Sequence, residues 1–289
     1  MRLHIKPPIF MIFASDLDRT LIYSKRSFLL GNDRLPPVRL IETIGEKEIS
    51  FMTEKAISIL EQLVWQLTFV PVTTRTIEQY QRITLFQKEL VPQYAVVSNG
   101  GIVLLDGKPL PEWTRYVKQR INQHASPFTD ILNYLEGLQP DRFLRSSLRL
   151  MDQLFYAARI DPNSLPHDEL PSFREWLKKE GWDLSIQGRK IYFIPSVVNK
   201  WEGVSFVKEQ IGAKQVIAAG DSLLDLDMIT QANYGIAPSH GEIYELLHQE
   251  LTIPFTQQKG LLASEEILQF VATTAAADLG KTTEELSNL

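Results

Sequence analysis

Apolar and polar positions change period several times along this chain, and each change marks an element. The first block is an unbroken apolar run, Ile9-Phe10-Met11-Ile12-Phe13, followed by Ala14-Ser15-Asp16-Leu17-Asp18-Arg19-Thr20-Leu21. A short continuous run ended by polar residues predicts a strand buried on both faces. Two carboxylates one residue apart then stand at its carboxyl end, where open α/β sheets collect their ligands. A polar, proline-containing stretch from Tyr23 to Val38 follows, and Arg39 to Phe51 predicts a hairpin turning at Gly45-Glu46-Lys47. Thr53-Glu54 opens a helix whose apolar positions Ala56, Ile59, Leu60, Leu63, Val64 and Leu67 keep helical spacing. Thr68 to Thr73 predicts a second strand despite Pro71, which removes a ladder donor. A helix over Ile77 to Leu90 and a third strand, Tyr94 to Ser98, complete a β-helix-β-helix-β alternation ending at Asn99-Gly100-Gly101. That rhythm implies a parallel sheet with right-handed crossovers.

The rhythm changes at Ile102. Ile102 to Leu110 predicts a hairpin, and Glu112 to Leu138 is helical with a break near Ser126-Pro127. Strands follow over Phe143 to Leu150 and Leu154 to Ile160, a helix over Asp168 to Gly181, and a hairpin of Asp183–Gln187 with Arg189–Ile194 around Gly188. Hairpins mixed with helices predict a small α+β unit with an antiparallel sheet, inserted into the α/β domain. The first rhythm resumes at Pro195. A helix over Lys200 to Ile211 leads to a strand, Gln215 to Ala219, that ends in Gly220-Asp221-Ser222-Leu223-Leu224-Asp225. Helices over Leu223–Gln231, Gly241–Gln249 and Ser264–Val271, a strand Tyr234–Ala237 and an edge strand Leu251–Pro254 follow. In the tail, Thr273 to Leu289, Thr282-x-x-Glu285 either caps a final turn or frays with it.

Composition narrows the function classes. The 289 residues contain 44% hydrophobic side chains, enough for a buried core, and a formal net charge of -5. That balance gives no electrostatic reason to expect nucleic acid as a partner. There is no cysteine, which excludes disulfides and thiolate metal sites. The apolar run after Arg2 and Lys6 is too short for a secretory leader and enters acids without a small-residue cleavage site, and nothing reaches membrane-spanning length. The expectation is a soluble cytoplasmic protein, monomer or homodimer, without a membrane partner.

The chemistry lies in the acids. If the strands before Asp16 and Asp221 are parallel neighbours, Asp16, Asp18, Asp221 and Asp225 converge on one rim, where their mutual repulsion calls for a hard divalent cation. Mg²⁺ fits best, since it takes oxygen ligands, keeps several waters, and is commonly held by one or two carboxylates with a substrate phosphate.

Asp16-Leu17-Asp18-Arg19-Thr20, Thr73, Lys200 and Gly220-Asp221-Ser222-Leu223-Leu224-Asp225 resemble, in order, the four motifs of the haloacid-dehalogenase-like (HAD) phosphohydrolases. The inserted segment falls between the second and third motifs, as in the branch with Cof-type, sucrose-phosphate and mannosyl-3-phosphoglycerate phosphatases and phosphomannomutase. Asn99-Gly100-Gly101 and Gly260 also resemble that branch. The resemblance implies a Rossmann-like parallel-sheet core over 1–101 and 195–289, with an α/β cap over 102–194. It implies a Mg²⁺-dependent phosphatase of small phosphorylated metabolites, sugar phosphates above all. Asp16 is the implied nucleophile and Asp18 the acid and base. Thr73 is the implied phosphoryl hydrogen-bond donor and Lys200 the stabilising cation. Asp16, the Asp18 main-chain carbonyl, Asp221 and, through water or as a support, Asp225 would form the metal site. Arg75, Asn99, Gly100 and Arg189 are candidate substrate contacts.

Blander readings stand beside these. Asp18 alone is an ordinary turn cap, Thr74 is an alternative to Thr73, Lys200 could be a solvated helix start, and Asp225, like Asp227, could be a helix-surface acid. Ser222 could simply cap the next helix. Arg142, Arg145, Arg149, Arg189 and Lys190 singly suit a solvated face, with Gly188-Arg189 the preferred recognition tip. The chain departs from the family pattern at Arg19 in place of a common glycine, at Thr74 in place of the glycine of Thr-Gly-Arg, and at Leu224 in place of a frequent asparagine. A phosphosugar mutase and a non-catalytic regulatory protein on the same scaffold are the rivals.

Overall fold

The computed structural model describes residues 11–31 and 34–287, with 279–287 described by backbone alone. It divides into two compact units, Met1–Lys108 with Lys200–Leu289, and Pro109–Asn199.

In the first unit, β1 (Met11–Ser15) is buried at every position, as its unbroken apolar pattern requires; the earlier run residues Ile9 and Phe10 lie outside the described residues. The hairpin β2 (Val38–Ile44) and β3 (Lys47–Thr53) is antiparallel, and Gly45 takes a φ of 58° at its turn. Helix α1 (Glu54–Leu63) is capped by Thr53, whose hydroxyl accepts from the Ala56 N–H at 3.0 Å. Strand β4 (Thr68–Pro71) tolerates its proline for a specific reason. Val72 N–H donates to Ser15 on the β1 side, and the ladder to the next strand opens only at Val72 and Val96, so no donor is needed at Pro71.

The helix expected over Ile77 to Leu90 is two, α2 (Ile77–Gln81) and α3 (Thr84–Lys88). Tertiary contacts split it: Ile83 is extended and bridges to Glu42, and the Thr84 hydroxyl donates to Ile41 C=O at 3.0 Å. Strand β5 (Tyr94–Val97) pairs antiparallel with β6 (Ile102–Leu105). Residues 102–105 therefore stay with the first unit instead of opening the insert, and β7 (Lys108–Pro109) marks where the chain leaves.

The second unit begins with α4 (Pro111–His124) and α5 (Phe128–Gly137). Then come β8 (Arg149–Met151), β9 (Phe155–Arg159), α6 (Leu170–Lys179), β10 (Trp182–Gln187) and β11 (Lys190–Pro195). The strand expected over Phe143 to Leu150 is reduced to β8 and one bridge, Leu144 to Ile160. All pairings are antiparallel, in the order β10-β11-β9-β8. Ile131 and Leu135 of α5, Phe173 and Leu177 of α6, and Leu184, Ile191 and Phe193 of the sheet form one apolar core. Residues 195–199 belong here, because Pro195 pairs with Trp182 and Ser196 N–H donates to Gly181 C=O at 2.9 Å.

The chain re-enters the first unit with α7 (Lys200–Ile211) and β12 (Gln215–Ala219). A 3-10 turn, Leu223–Asp225, precedes α8 (Leu226–Gln231); β13 (Tyr234–Ile236), α9 (Glu242–Leu247) and α10 (Ala263–Ser287) follow. Leu251 to Pro254 forms no strand, only a bridge from Ala237 to Phe255, and α10 continues past Val271. The parallel sheet has the order β13-β12-β1-β4. β1 lies between β12, with Ser15 beside Ala219, and β4, with Ser15 beside Pro71. This register brings the ends of three strands to one rim.

Candidate active site

Asp16 is the first residue beyond β1, and its N–H still donates to Ala219 C=O at 2.8 Å. The carboxyl ends of β1 and β12 are thus locked side by side, and Asp16 and Asp221 emerge one residue apart in register. The loop after Asp16 coils on itself. Thr20, Leu21 and Ile22 N–H groups all converge on Leu17 C=O, and Arg19 is forced to a φ of 66°. Thr20 donates its hydroxyl to Asp16 Oδ2 at 3.1 Å, fixing one carboxylate oxygen.

The other oxygen meets Lys200. Its Nζ donates to Asp16 Oδ1 at 2.6 Å and to Asp225 Oδ1 at 2.5 Å, with only 1% of its side chain exposed. Lys200 opens α7, which can approach closely because Gly203 packs on Gly100 and on Val96; a Cβ at Gly203 would lie 2.6 Å from the Val96 methyl. The solvated reading of Lys200 is thereby excluded. Asp225 is equally far from a surface acid: it is fully buried, and its Oδ2 accepts from Ser222 N–H and Oγ, both at 2.9 Å. Gly220 is required beneath it, since a Cβ there would sit 2.4 Å from the Asp225 side chain.

Three carboxylates, Asp16, Asp221 and Asp225, offer oxygens within 4.8 Å of one another. Burial drives the Asp16 carboxyl up to about 7, and the charges of Asp225 and Asp18 add to this while Lys200 opposes it. Burial also raises Asp221 well above the usual carboxylate range, again helped by Asp16 and Asp225. Lys200 is desolvated too, but its two carboxylate partners outweigh that and hold it cationic beyond its ordinary range. The cluster therefore carries more acid than its one buried ammonium can neutralise. An all-oxygen, electron-rich donor set of this kind fits a hard divalent cation. Both Asp225 oxygens accept from Lys200 and Ser222, as both Asp16 oxygens do from Lys200 and Thr20, while Asp221 Oδ2 faces the Arg19 Nε at 3.4 Å.

Asp18 turns away from this cluster. Arg75 grips its carboxylate with Nε and Nη2 at 2.7 and 2.8 Å. Arg75 is held in turn by Glu42 of the β2–β3 hairpin, through Nη1 at 2.8 Å. Glu42 is fully buried and also accepts from Ser50 at 2.7 Å and Arg82 at 3.2 Å. Thr73 is buried just beyond β4, where its Oγ1 accepts from Arg75 N–H at 3.2 Å; Thr74 is only partly buried. Asn99 and Gly100 form a buried left-handed turn, with φ of 57° and 97°, under α7. Arg189 lies in the second unit, exposed at the Gly188 hairpin tip, where its C=O accepts from Ile160 N–H at 3.0 Å.

Two participants carry no sequence signal that spacing could reveal. One is Glu42, an apparently ordinary hairpin acid. The other is His240, whose Nδ1 accepts from Gly260 N–H at 3.0 Å; its Nε2 must then hold the proton and donate to Arg19 C=O, also at 3.0 Å. Burial keeps this imidazole neutral, lowering it to about 4.

Residues 160–262 match the profile of the haloacid dehalogenase-like hydrolase family. No curated protein matches the sequence significantly. Among solved structures, the sucrose-phosphatase from Synechocystis, in complex with sucrose and phosphate, superposes with a TM-score of 0.65 at 15% identity, covering 92% of this chain and 98% of that one. A HAD-superfamily phosphatase from Bacteroides thetaiotaomicron gives 0.57 at 13% identity, covering 95% and 98%. A subclass IIB HAD sugar phosphatase gives 0.52 at 11% identity, covering 80% and 88%. The sequence likeness to haloacid dehalogenase-like hydrolases spans residues 160–262, and the likeness in fold to these phosphatase structures spans nearly the whole chain. These structural neighbours are phosphatases, a sucrose-phosphatase and a sugar phosphatase among them.

Proposed function

We propose that the protein is a Mg²⁺-dependent phosphatase of small phosphorylated metabolites, with sugar phosphates as the leading class. The observation that supports this most directly is Asp16 held between Thr20 and Lys200, with Asp221 and Asp225 within reach. Lys200 orients one Asp16 oxygen and Thr20 the other, which keeps the carboxylate from rotating as it meets phosphorus. An Asp16 oxygen attacks phosphorus, the ester bond to the leaving oxygen breaks, and Asp18 gives that oxygen a proton. Asp18 then takes a proton from water as the water oxygen attacks phosphorus, releasing inorganic phosphate and restoring Asp16. Mg²⁺ held by Asp16, the Asp18 carbonyl and Asp221 would supply charge neutralisation between the anionic nucleophile and the anionic phosphate. Thr73 and Lys200 add a hydrogen bond and positive charge for the phosphoryl oxygens. The inserted unit would act as the substrate-selecting cap, with Arg189 as its candidate contact.

A panel of phosphorylated metabolites scored for phosphate release with Mg²⁺ tests the reading. Release from several sugar phosphates, abolished in a folded Asp16→Asn variant, is the expected result. Full turnover in Asp16→Asn refutes it.

A further inference from the structure

The position after the second acid is occupied by the longest cation available, and its main chain is under strain. Arg19 has a φ of 66°, a left-handed conformation that disfavours side chains. The surrounding structure enforces it at every polar atom. The Arg19 N–H donates to Ile22 C=O at 2.8 Å, and its C=O accepts from the Tyr23 hydroxyl at 2.8 Å and from His240 Nε2. The side chain is bound as firmly. Nη2 donates to His240 C=O at 2.6 Å, and Nε lies 3.4 Å from Asp221 Oδ2. Residue 240 therefore fixes Arg19 from both sides, by its ring on the main chain and by its carbonyl on the guanidinium. The result is an asymmetric pair: the Arg19 side chain is 49% exposed, and that of Asp221 11%.

We propose that Arg19 is a built-in competitor for the divalent-cation site, a guanidinium that neutralises Asp221 and must be displaced from it before a metal can take that carboxylate. The inference rests on the cation site argued above. A dication shared by Asp16 and Asp221 would sit beside the guanidinium, and like charges at that distance in a partly dry site repel strongly. Arginine can yield without unfolding anything. Its stem is half in solvent, and the His240 carbonyl remains as an anchor after the Asp221 contact is lost. The consequence is a site whose affinity for metal is moderate and whose metal-free form carries less unneutralised acid than Lys200 alone would leave it. Retraction would also leave a cation at the rim, available to an anionic substrate once the metal is in place.

Mn²⁺ binding followed by electron paramagnetic resonance on the full chain tests this directly, without turnover. Arg19→Gln removes the charge and keeps a shorter, neutral polar side chain, and it should bind Mn²⁺ about tenfold more tightly, the screened value for one half-exposed charge. Arg19→Lys should stay within about threefold of wild type. In wild-type protein with ¹⁵N-labelled arginine, Mg²⁺ should turn the Arg19 Nε–H into a rapidly exchanging group; this readout survives if the variants fold poorly. Equal or weaker Mn²⁺ affinity in Arg19→Gln, or an Nε–H still protected under saturating Mg²⁺, overturns the competitor role while leaving the cation site intact. Absence of any Mn²⁺ binding in wild type and variant alike overturns both.

Discussion

His240 allows a test of the buried network in which the sign of the effect reverses with pH. Between its unfolded value of 6.5 and its folded value of about 4, the unfolded chain binds a proton that the native protein refuses. Stability from the neutral ring is thus full above 6.5 and is lost as pH falls toward about 4. At about pH 4 the loss amounts to about 3 kcal/mol, from 1.36 kcal/mol per unit with the native ring half protonated. Asp16 works in the opposite direction. Its folded value of about 7 lies above 3.8, so its contribution is full at low pH and is lost as pH rises through about 7. The two windows overlap, and wild-type stability changes less across them than either group alone would cause. Removing the imidazole exposes the imbalance. His240→Gln should be less stable than wild type by about 1–3 kcal/mol near neutrality, through one lost hydrogen bond to Gly260 or Arg19. The deficit should shrink by about 3 kcal/mol near pH 4, where wild type carries the protonation penalty and the amide does not. Urea denaturation followed by tryptophan fluorescence, in chelator to keep the carboxylates metal-free, measures it. A stability difference that stays constant across that pH range refutes the buried, neutral assignment of His240.

Lys200→Met leaves Asp16 and Asp225 facing each other without their shared ammonium, and metal-free stability should drop by about 3–5 kcal/mol. Urea midpoints equal to wild type would show that the pair contributes nothing to the fold. Glu42→Gln removes the buried anion behind Arg75, so Asp18 loses its fixed orientation. The expected signature is a fall of about tenfold or more in kcat with KM little changed, and a fall in kcat/KM through KM alone would place Glu42 in substrate binding instead.

The elements that were legible in sequence are those buried along all or nearly all of their length. β1 and β12 each carry a continuous apolar run, Met11–Ala14 and Val216–Ala219, followed closely by an acid, and that pattern places Asp16 and Asp221 just beyond them. Lys200, Thr73 and Asp225 followed from motif order, and each is a buried residue at the end or start of an element. Long-range contacts were not legible. Ile83 has helical neighbours but is pulled extended by Glu42, far away in sequence. Glu42 reads as an exposed hairpin acid because its partners, Arg75 and Arg82, come from a later segment. His240 meets Gly260 and Arg19 only after the sheet has closed, so no local spacing could announce it. The insert boundaries shifted for the same reason: β6 pairs back to β5, and Pro195 pairs with Trp182, although both segments resemble the domain on their other side.

The strand order β13-β12-β1-β4 places the first strand of the described residues between partners made early and late in synthesis. β4 is available early, but β12 is translated only after the entire second unit. Until then β1 has one open, wholly apolar edge, the kind of edge that pairs with other chains. The order of events on the ribosome is therefore built into the topology. The second unit can fold while the first waits half-zipped, and Asp16 is fixed only when Ala219 arrives to receive its N–H. A chain interrupted between residues 199 and 215 would combine a finished insert with an adhesive half-sheet, which makes premature termination in that interval a route to aggregation and not merely to inactivity.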